Sequence, residues 1–210
     1  MRFERKYRIE NMDLRHVLLL LKVHPASFKK IHPDRTINNI YFDTNNMGCA
    51  NANIDGINIR KKFRVRWYGN NPFQLEDPTL EVKFKENQLG GKKLISLSNF
   101  KLDELKSITA TVNKNIGNQY PLIPTLLNSY DRSYWGSFDN KIRITIDSNL
   151  RFHSLLHSPH FQKYRCRDEA VIMEIKYEKD QERTINRITE LFPFRLSKNS
   201  KYVNGLLLTS

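Results

Sequence analysis

The chain has 210 residues, of which 39% are hydrophobic and 11% aromatic, proportions that are typical of a globular protein with one sizeable core. Its 35 Lys and Arg residues outnumber its 22 Asp and Glu residues and give a formal net charge of +13, so we expect a polyanionic partner: nucleic acid, a nucleotide, polyphosphate or an anionic membrane surface. Two widely separated cysteines and a charged N-terminus, with no apolar signal or membrane-spanning segment, lead us to expect a reduced, cytoplasmic protein.

The predicted elements, taken in chain order, are mainly strands with a few helices between them. Asp13 is a suitable N-cap for a first helix over residues 14–21, and residues 45–56 form a loop or a short helical turn. Residues 88–93 predict a flexible basic turn, a further helix could begin within 121–127, and an amphipathic helix covers 180–192. The predicted strands are 2–9, 36–43, 60–68, 79–85, 130–135, 141–147 and 171–177.

Two of these strands flank Asp139-Asn140, which is a favourable hairpin turn. No Pro-, Gly- or Ser-rich linker divides the sequence, and no repeat of fixed period is present. We therefore expect a single domain over residues 1–210.

Residues 60–69 carry the most unusual pattern. Side chains of a strand alternate between its two faces, so Lys62, Arg64 and Arg66 share one face, while Phe63 and Trp67 lie on the other. Like charges in register repel each other. This face therefore requires either acidic partners on neighbouring strands or a bound polyanion.

The pattern recurs on at least five strands, each with an apolar and a charged face. An open sheet or sandwich would leave the charged faces in water, whereas a closed barrel would line a tunnel with them and cover its apolar outer face with helices. Crowding so many cations is costly unless a multiply charged anion lies among them, and a phosphate chain meets that need. We therefore predict an α+β fold: a closed antiparallel β-barrel of about eight strands with helices outside. The charged faces hold Arg2, Lys6, Arg8, Lys62, Arg64, Arg66, Lys83, Lys85, Arg132, Arg143 and Lys176 against Glu4, Glu81, Asp147 and Glu174.

An ordered set of motifs then resembles a known family. Asp55-Gly56 precedes the run Arg60-x-Lys62-x-Arg64-x-Arg66-Trp67-Tyr68-Gly69. The other motifs are Glu4-x-Lys6-Tyr7, Asn39-Ile40-Tyr41-Phe42-Asp43, Glu81-x-Lys83-x-Lys85, Tyr130-x-Arg132, Arg143-Ile-x-Ile-Asp147, Glu174-x-Lys176 and Lys198-x-Ser200-Lys201-Tyr202. Together they resemble the VTC (vacuolar transporter chaperone) domain, the polyphosphate polymerase branch of the CYTH-like, or triphosphate tunnel metalloenzyme, superfamily.

This resemblance implies a transferase that moves the terminal phosphoryl group of ATP onto a growing polyphosphate chain inside a basic tunnel. ATP and polyphosphate or triphosphate would be its ligands, without nucleic acid, and Glu174 would hold Mn²⁺ or Mg²⁺. The catalytic positions implied are Arg64, Arg66, Lys83, Arg132, Arg143 and Lys201. The phosphate-binding positions implied are Lys6, Lys62, Lys85, Tyr130, Lys198, Ser200 and one of Lys92 or Lys93, of which Lys93 is our choice.

One departure discriminates within the superfamily. Its hydrolytic members resemble Glu-x-Glu-x-Lys in the first strand, where the acidic pair serves metals, but this chain has Arg2-x-Glu4-x-Lys6. An Arg in place of an acid favours holding phosphate, so the sequence favours a polymerase. The alternatives are a triphosphatase of the same fold and a non-catalytic module that binds polyphosphate or nucleotide.

Several residues have more ordinary interpretations. Glu4 belongs either to the metal site or to an ion pair, and Glu81 and Asp147 could be counter-charges, an interpretation that we favour for Asp147. We expect Tyr41, Phe42 and Trp67 in the outer core and not stacked on a nucleobase. His153, His157 and His160 have near-helical spacing, but Pro159 among them and the lack of a fourth ligand favour a loop over a zinc site.

Overall fold

The computed structural model describes residues 2–86, 89–156, 160–164 and 166–210. It confirms an α+β fold with a large antiparallel sheet and helices. The strands are β1 Arg2–Ile9, β2 Lys29–Thr44, β3 Ile59–Tyr68, β4 Gln74–Leu75, β5 Thr79–Glu86, β6 Leu89–Ser96, β7 Phe100–Lys101, β8 Leu122–Gly136, β9 Arg143–Ser154, β10 Cys166–Asp168 and β11 Val171–Glu178. The α-helices are α1 Leu14–Val23, α2 Gly48–Ile54, α3 Leu105–Ile116, α4 Glu182–Glu190 and α5 Lys201–Thr209.

In the described part of the chain, nine strands form the large sheet, in the order β1-β11-β9-β8-β2-β3-β5-β6, with β10 paired to β9. The registers of β1 with β11, β11 with β9, β2 with β3, β3 with β5 and β5 with β6 are all antiparallel. β4 and β7 form a separate two-stranded sheet. Among the described residues, no helix is both long and apolar enough to cross a bilayer.

The chain divides into two compact units, and each is built from three separate segments. Unit 1 comprises Met1–Arg35, Tyr130–Leu150 and Asp168–Asn199, and unit 2 comprises Thr36–Ser129, Arg151–Arg167 and Ser200–Ser210. The boundaries fall inside β2, β8 and β9 instead of in a linker.

Unit 1 has its own hydrophobic core, formed where helices cover the apolar faces of strands. Ile144 and Ile146 of β9 and Ile175 of β11 contribute from the strands, and Val17 and Leu21 of α1 from the helix. Asp13 caps α1 as predicted, because its Oδ1 accepts a hydrogen bond from the backbone N–H of His16 at 3.0 Å.

Unit 2 has a second core around the apolar face of the cationic strand. Phe63, Val65 and Trp67 of β3 pack in one cluster with Ile108 and Val112 of α3. Phe42 belongs to the same cluster, so the outer-core prediction is confirmed for Phe42 and Trp67. Tyr41 is also buried in the core, but it pairs with Arg64 in the β2–β3 register and therefore lies on the charged face instead of the outer one.

Two local predictions are wrong and two are confirmed. Residues 122–127 belong to β8 and not to a helix, because this apolar run is too short to distinguish a buried strand from a helix by periodicity. Residues 89–93 are part of β6 and not a turn, while Gln88 lies outside the described residues. The Asp139-Asn140 turn does join β8 to β9, and the short helical segment in 45–56 is α2.

His153 lies in β9, and its ring contacts Phe161 edge-on at 5.2 Å between centroids. His157 lies outside the described residues. Within the described part of the chain, no group of three or more His, Cys, Asp or Glu residues is placed to hold a metal. The loop that we predicted is wrong for His153, because this residue lies in a strand.

Candidate functional site

A row of lysines crosses the charged face of three neighbouring strands in unit 2. Lys62 of β3 lies opposite Lys83 of β5, which in turn lies opposite Lys92 of β6. Directly opposed residues share a face, and like charges there are destabilising. Lys93 pairs with Val82, on the other face, so the register favours Lys92 over Lys93 as the neighbour of Lys83.

Two arginines beside this row share one carboxylate. Arg64 donates from Nε to Oε2 of Glu81 at 2.9 Å and also from Nη2, while Nη1 of Arg66 lies 3.4 Å from Oε1. Burial would raise the pKa of Glu81, but Arg64 and Arg66 lower that pKa below its usual value. Glu81 is therefore an ionised counter-charge for both arginines.

The cations of this face far outnumber its carboxylates. The described face of β3, β5 and β6 carries Arg60, Lys62, Arg64, Arg66, Lys83, Lys85 and Lys92, with the carboxylate of Glu81 among them. Such a surface has the charge that a chain of phosphates needs.

Sequence reasoning missed two buried amides behind Arg66. Its Nε donates to Oδ1 of Asn39 at 2.9 Å, and Nδ2 of Asn39 donates to Oδ1 of Asn128 at 3.0 Å. Asn39 opens the motif that ends in Asp43, and Asn128 lies two residues before Tyr130. The sequence signal for these two residues was their position in or near motifs of charged residues. Asparagine is too common in turns and on surfaces for that signal to identify it as a site residue.

Helix α5 brings the last motif against the first strands of unit 2. The hydroxyl of Tyr202 donates to Oδ2 of Asp43 at 2.8 Å, and its ring stacks on Tyr41 at 4.9 Å. Lys62 Nζ lies 3.0 Å from the Ser200 hydroxyl, and that hydroxyl also caps α5. Tyr202 and Asp43, both buried, are thus anchors that place Ser200 and Lys201.

In unit 1, Arg132 forms a two-point ion pair with Asp147. Its Nε and Nη2 donate to Oδ1 and Oδ2 at 2.5 and 2.7 Å. Burial would lower the pKa of Arg132, but Tyr130 and Asp147 raise it well above its usual value. The Arg132 guanidinium also lies over the Tyr130 ring, 5.3 Å from its centroid. Asp147 is therefore the counter-charge that we favoured.

Glu174, also in unit 1, lies among cations. Its Oε1 is 2.7 Å from Lys176 Nζ, and its Oε2 is 3.9 Å from Lys6 Nζ. Lys6 is in addition 2.7 Å from Oε1 of Glu4, so its ammonium pairs with both carboxylates that we predict at the metal. Burial would raise the pKa of Glu174, but Lys176 and Lys6 hold it well below its usual value.

The remaining predicted residues are more exposed. Arg143 lies opposite Lys176 in the β9–β11 register, and Lys85 lies opposite Arg60. Lys198 is exposed in the segment before α5. The structure thus groups Lys62, Lys83, Arg64, Arg66 and Ser200 within unit 2, and Lys6, Glu4, Glu174, Arg132 and Tyr130 within unit 1.

Comparison with family models places the chain in a known family. Residues 1–210 match the family model described as the VTC domain. The chain belongs to the VTC domain family. No curated protein matches this VTC domain.

Solved structures share the fold of the VTC domain at low sequence identity. HpAC1 from Hippeastrum, described as a candidate adenylyl cyclase with a dominant triphosphatase activity, matches with 14% identity and a TM-score of 0.54 over 100% of this chain and 97% of its own. A candidate adenylate cyclase from Vibrio parahaemolyticus matches with 14% identity and a TM-score of 0.53 over 97% of both chains. PH1819 from Pyrococcus horikoshii OT3 matches with 12% identity and a TM-score of 0.54 over 98% of this chain and 95% of its own.

Proposed function

We propose that this VTC domain is a metal-dependent polyphosphate polymerase. It transfers the γ-phosphoryl group of ATP to a growing inorganic polyphosphate chain, with its sheet closed into the barrel that the family resemblance implies. The observation that carries the proposal is the row of cations on β3, β5 and β6, which surrounds the one carboxylate of Glu81 on the described part of that face. Like charges in register destabilise such a surface, and a multiply charged anion bound there would offset their repulsion.

The arginines supply the shaped part of this anion site. Arg64 and Arg66 present planar guanidinium groups that match two phosphate oxygens each. Lysines act as point charges along the chain and do not fix its orientation. The family resemblance implies the catalytic residues, and for this role we propose Arg64, Arg66, Lys83, Arg132, Arg143 and Lys201. The rest of the phosphate chain is assigned to Lys6, Lys62, Lys85, Lys198, Tyr130, Ser200 and Lys92, which the register favours over Lys93.

Glu174 and Glu4 are the residues that would hold Mn²⁺ or Mg²⁺. Magnesium in phosphoryl-transfer sites is commonly held by one or two carboxylates together with substrate phosphate oxygens. Glu174, ionised and partly buried, meets this requirement, and Glu4 shares Lys6 with it. When bound, the metal would neutralise charge that develops on the phosphate oxygens.

No side-chain nucleophile or base is needed for this reaction. The attacking group is an already ionised phosphate oxygen of the acceptor chain, so catalysis consists of positioning and charge stabilisation. The arginines and lysines hold donor and acceptor in line and stabilise the oxygens of the phosphoryl group. The bond between the γ-phosphorus and the β–γ bridging oxygen breaks, and ADP leaves with the negative charge on that oxygen.

A triphosphatase is the second candidate function. HpAC1, which shares the fold, is described with a dominant triphosphatase activity. Hydrolysis would require water in place of the phosphate acceptor, with the same cations and metal. The first strand favours the polymerase, because Arg2 stands where the hydrolytic members resemble a first acidic residue that serves metals.

The compartment that we propose is the cytoplasm. Cys49 and Cys166 are free thiols, and disulfides are rare in reducing compartments. Burial, reinforced by Asp43, raises the pKa of Cys49 to about 12, which makes it an inert thiol.

The decisive experiment incubates the purified protein with ATP and Mn²⁺ and resolves the products on a gel, together with assays of ADP and orthophosphate. Long phosphate chains with one ADP per phosphoryl group transferred are expected. Orthophosphate alone would establish the triphosphatase, and binding without turnover would leave a non-catalytic module.

Two matched variants control this assay. Glu174→Gln keeps the shape of the side chain but removes the carboxylate, and we expect it to lower turnover by at least about a hundredfold while the fold is kept. Glu169→Gln makes the same change at an exposed position before β11 and should leave turnover unchanged. Equal activity of the two variants would remove Glu174 from the metal role.

A further inference from the structure

Arg66, Asn39 and Asn128 form a chain of hydrogen bonds across three neighbouring strands, β3, β2 and β8. The two bonds measure 2.9 Å from Arg66 Nε to Asn39 and 3.0 Å from Asn39 to Asn128. Both amide side chains are fully buried at 0% exposure, and Arg66 is 9% exposed. All three residues belong to unit 2.

The cation fixes the orientation of both amides. A guanidinium N–H can only donate, so the Asn39 atom that faces it must be the carbonyl oxygen. The Asn39 amide nitrogen then faces Asn128 and must meet an acceptor there, which is the carbonyl oxygen of Asn128. The amide nitrogen of Asn128 is consequently turned away from Asn39, as a donor.

Within the part of the chain that the structure describes, that last donor is not satisfied. Nδ2 of Asn128 is buried and has no hydrogen-bond partner among the described residues. Buried polar groups are nearly always paired, and the exceptions require a functional or ligand-related explanation. A hydrophobic side chain in place of Asn128 would leave no unpaired donor at this position, but it would remove the acceptor of the Asn39 amide nitrogen.

We propose that Asn128 is a further hydrogen-bond donor to the anion held at Arg66, and that Asn39 is the positioning residue that orients both. The proposal rests on the proposed function, since the anion is the phosphate chain. Arg66 and Asn128 then offer only donors, which suits ionised phosphate oxygens that only accept. Because Nδ2 of Asn128 is shielded from solvent, binding also requires a local shift of the side chains around it.

The first test is NMR of ¹⁵N-labelled protein with sodium tripolyphosphate as the probe. The side-chain amide resonance of Asn128, assigned by its loss in Asn128→Asp, is expected to shift on saturation. The amide of Asn38 is the internal control, because it is also buried but donates to the carbonyl of Gly69 at 2.8 Å. An Asn128 resonance that stays as unmoved as that of Asn38 would overturn the donor role.

The second test is a double-mutant cycle on tripolyphosphate affinity. Asn39→Ala should weaken binding by about tenfold while Arg66 is present, as expected for a hydrogen bond to a charged group. It should have little further effect in an Arg66→Ala background. Independent losses in the two backgrounds would mean that Asn39 is merely structural, and thermal unfolding of each variant would show whether it is folded. If variants of Asn39 do not fold, the NMR test on the unaltered chain still decides the role of Asn128.

Failure of this inference differs from failure of the proposed function. If tripolyphosphate does not bind the unaltered protein, the phosphate site itself is wrong and this inference falls with it. If tripolyphosphate binds and Arg66→Ala weakens this binding, but the amide resonance of Asn128 does not shift, only this inference is wrong.

Discussion

Glu81 pairs with both Arg64 and Arg66, and so competes for the guanidinium groups that we assign to phosphate. Glu81→Gln keeps the size of the side chain but removes its charge. We expect it to bind tripolyphosphate more tightly, because the anion no longer displaces a carboxylate. The free protein should lose on the order of 3 kcal/mol of stability, because the buried Arg66 and the partly buried Arg64 lose the negative charge that they share.

Calorimetric titration and thermal unfolding of the same samples measure these two effects of opposite sign. Glu76→Gln makes the same charge change at an exposed position and is the matched control. It should change neither the tripolyphosphate affinity nor the stability by much. Weaker tripolyphosphate binding by Glu81→Gln would show that Glu81 assists the anion, for example through a metal, and does not compete with it.

Adjacent lysines on β6 provide a second test at the scale of single residues. Lys92 shares the face of Lys83, while Lys93 pairs with Val82 on the other face. Both side chains are exposed and carry the same charge. We expect Lys92→Ala to weaken tripolyphosphate binding by about fivefold to tenfold, the effect of one charged contact, and Lys93→Ala to have less than a twofold effect. If a titration shows the larger loss of affinity for Lys93→Ala, the phosphate-binding lysine is Lys93 and not Lys92.

Charged residues of the site were visible in the sequence, while its neutral residues were not. Alternation places Arg64 and Arg66 on one face with no structural information. The partners of Arg66, by contrast, come from strands that neighbour β3 only in the folded sheet. Pairing of this kind depends on strand order, which alternation within a single strand does not determine.

At the scale of elements, helix α5 depends on a buried hydrogen bond between Tyr202 and Asp43. The Tyr202 hydroxyl donates to Asp43 and accepts from Thr125 at 3.1 Å. Tyr202→Phe removes both bonds, and we expect a loss of about 1–3 kcal/mol of stability. Because Ser200 and Lys201 begin this helix, tripolyphosphate affinity should also fall.

Denaturant unfolding and titration with tripolyphosphate check this prediction. Tyr120→Phe, at a side chain that is 62% exposed, is the control and should change neither quantity. Normal affinity in a destabilised Tyr202→Phe protein would mean that α5 does not position a phosphate ligand.

Elements with clear alternation were predictable, and those buried on both faces were not. The strand with Ile142, Ile144 and Ile146 shows a regular period of two, as does β3. The start of β8 has apolar residues on both faces, so a helix and a strand were equally consistent with residues 121–127. The Gly-Gly pair at 90 and 91 suggested a turn, but there it lies in a strand where the Phe84 ring leaves no room for a Cβ on Gly91.

At the scale of the whole molecule, the sequence predicted the α+β class with its antiparallel sheet and the family, but not the division into units. The motif order covers the full chain, and the family match over residues 1–210 confirms it. The unit boundaries cut through strands that are continuous in sequence. They arise from two separate cores, and each core joins segments that are far apart along the chain. Composition and local periodicity contain no signal for such a division.

The net charge of +13 leads to a prediction for the molecule as a whole. Self-repulsion destabilises a highly charged compact state, so any anion should stabilise this protein to some extent. When the concentration of tripolyphosphate is a hundred times its dissociation constant, specific binding should add about 2.7 kcal/mol to the free energy of unfolding. For a chain of this size, this corresponds to a rise in melting temperature of roughly 5–10 °C.

Thermal unfolding with tripolyphosphate, compared with sulfate at the same ionic strength, separates these two effects. We expect sulfate to give a smaller rise that needs far higher concentration, because it screens charge without spanning several cations. We call the difference between the rise in melting temperature with tripolyphosphate and the rise with sulfate the excess rise. Arg64→Ala should lose most of this excess rise, while Arg183→Ala, at an exposed position on α4, should keep it. Equal shifts for the two anions, or for the two variants, would mean that the basic charge acts only as a general attraction for anions and not as a built phosphate site.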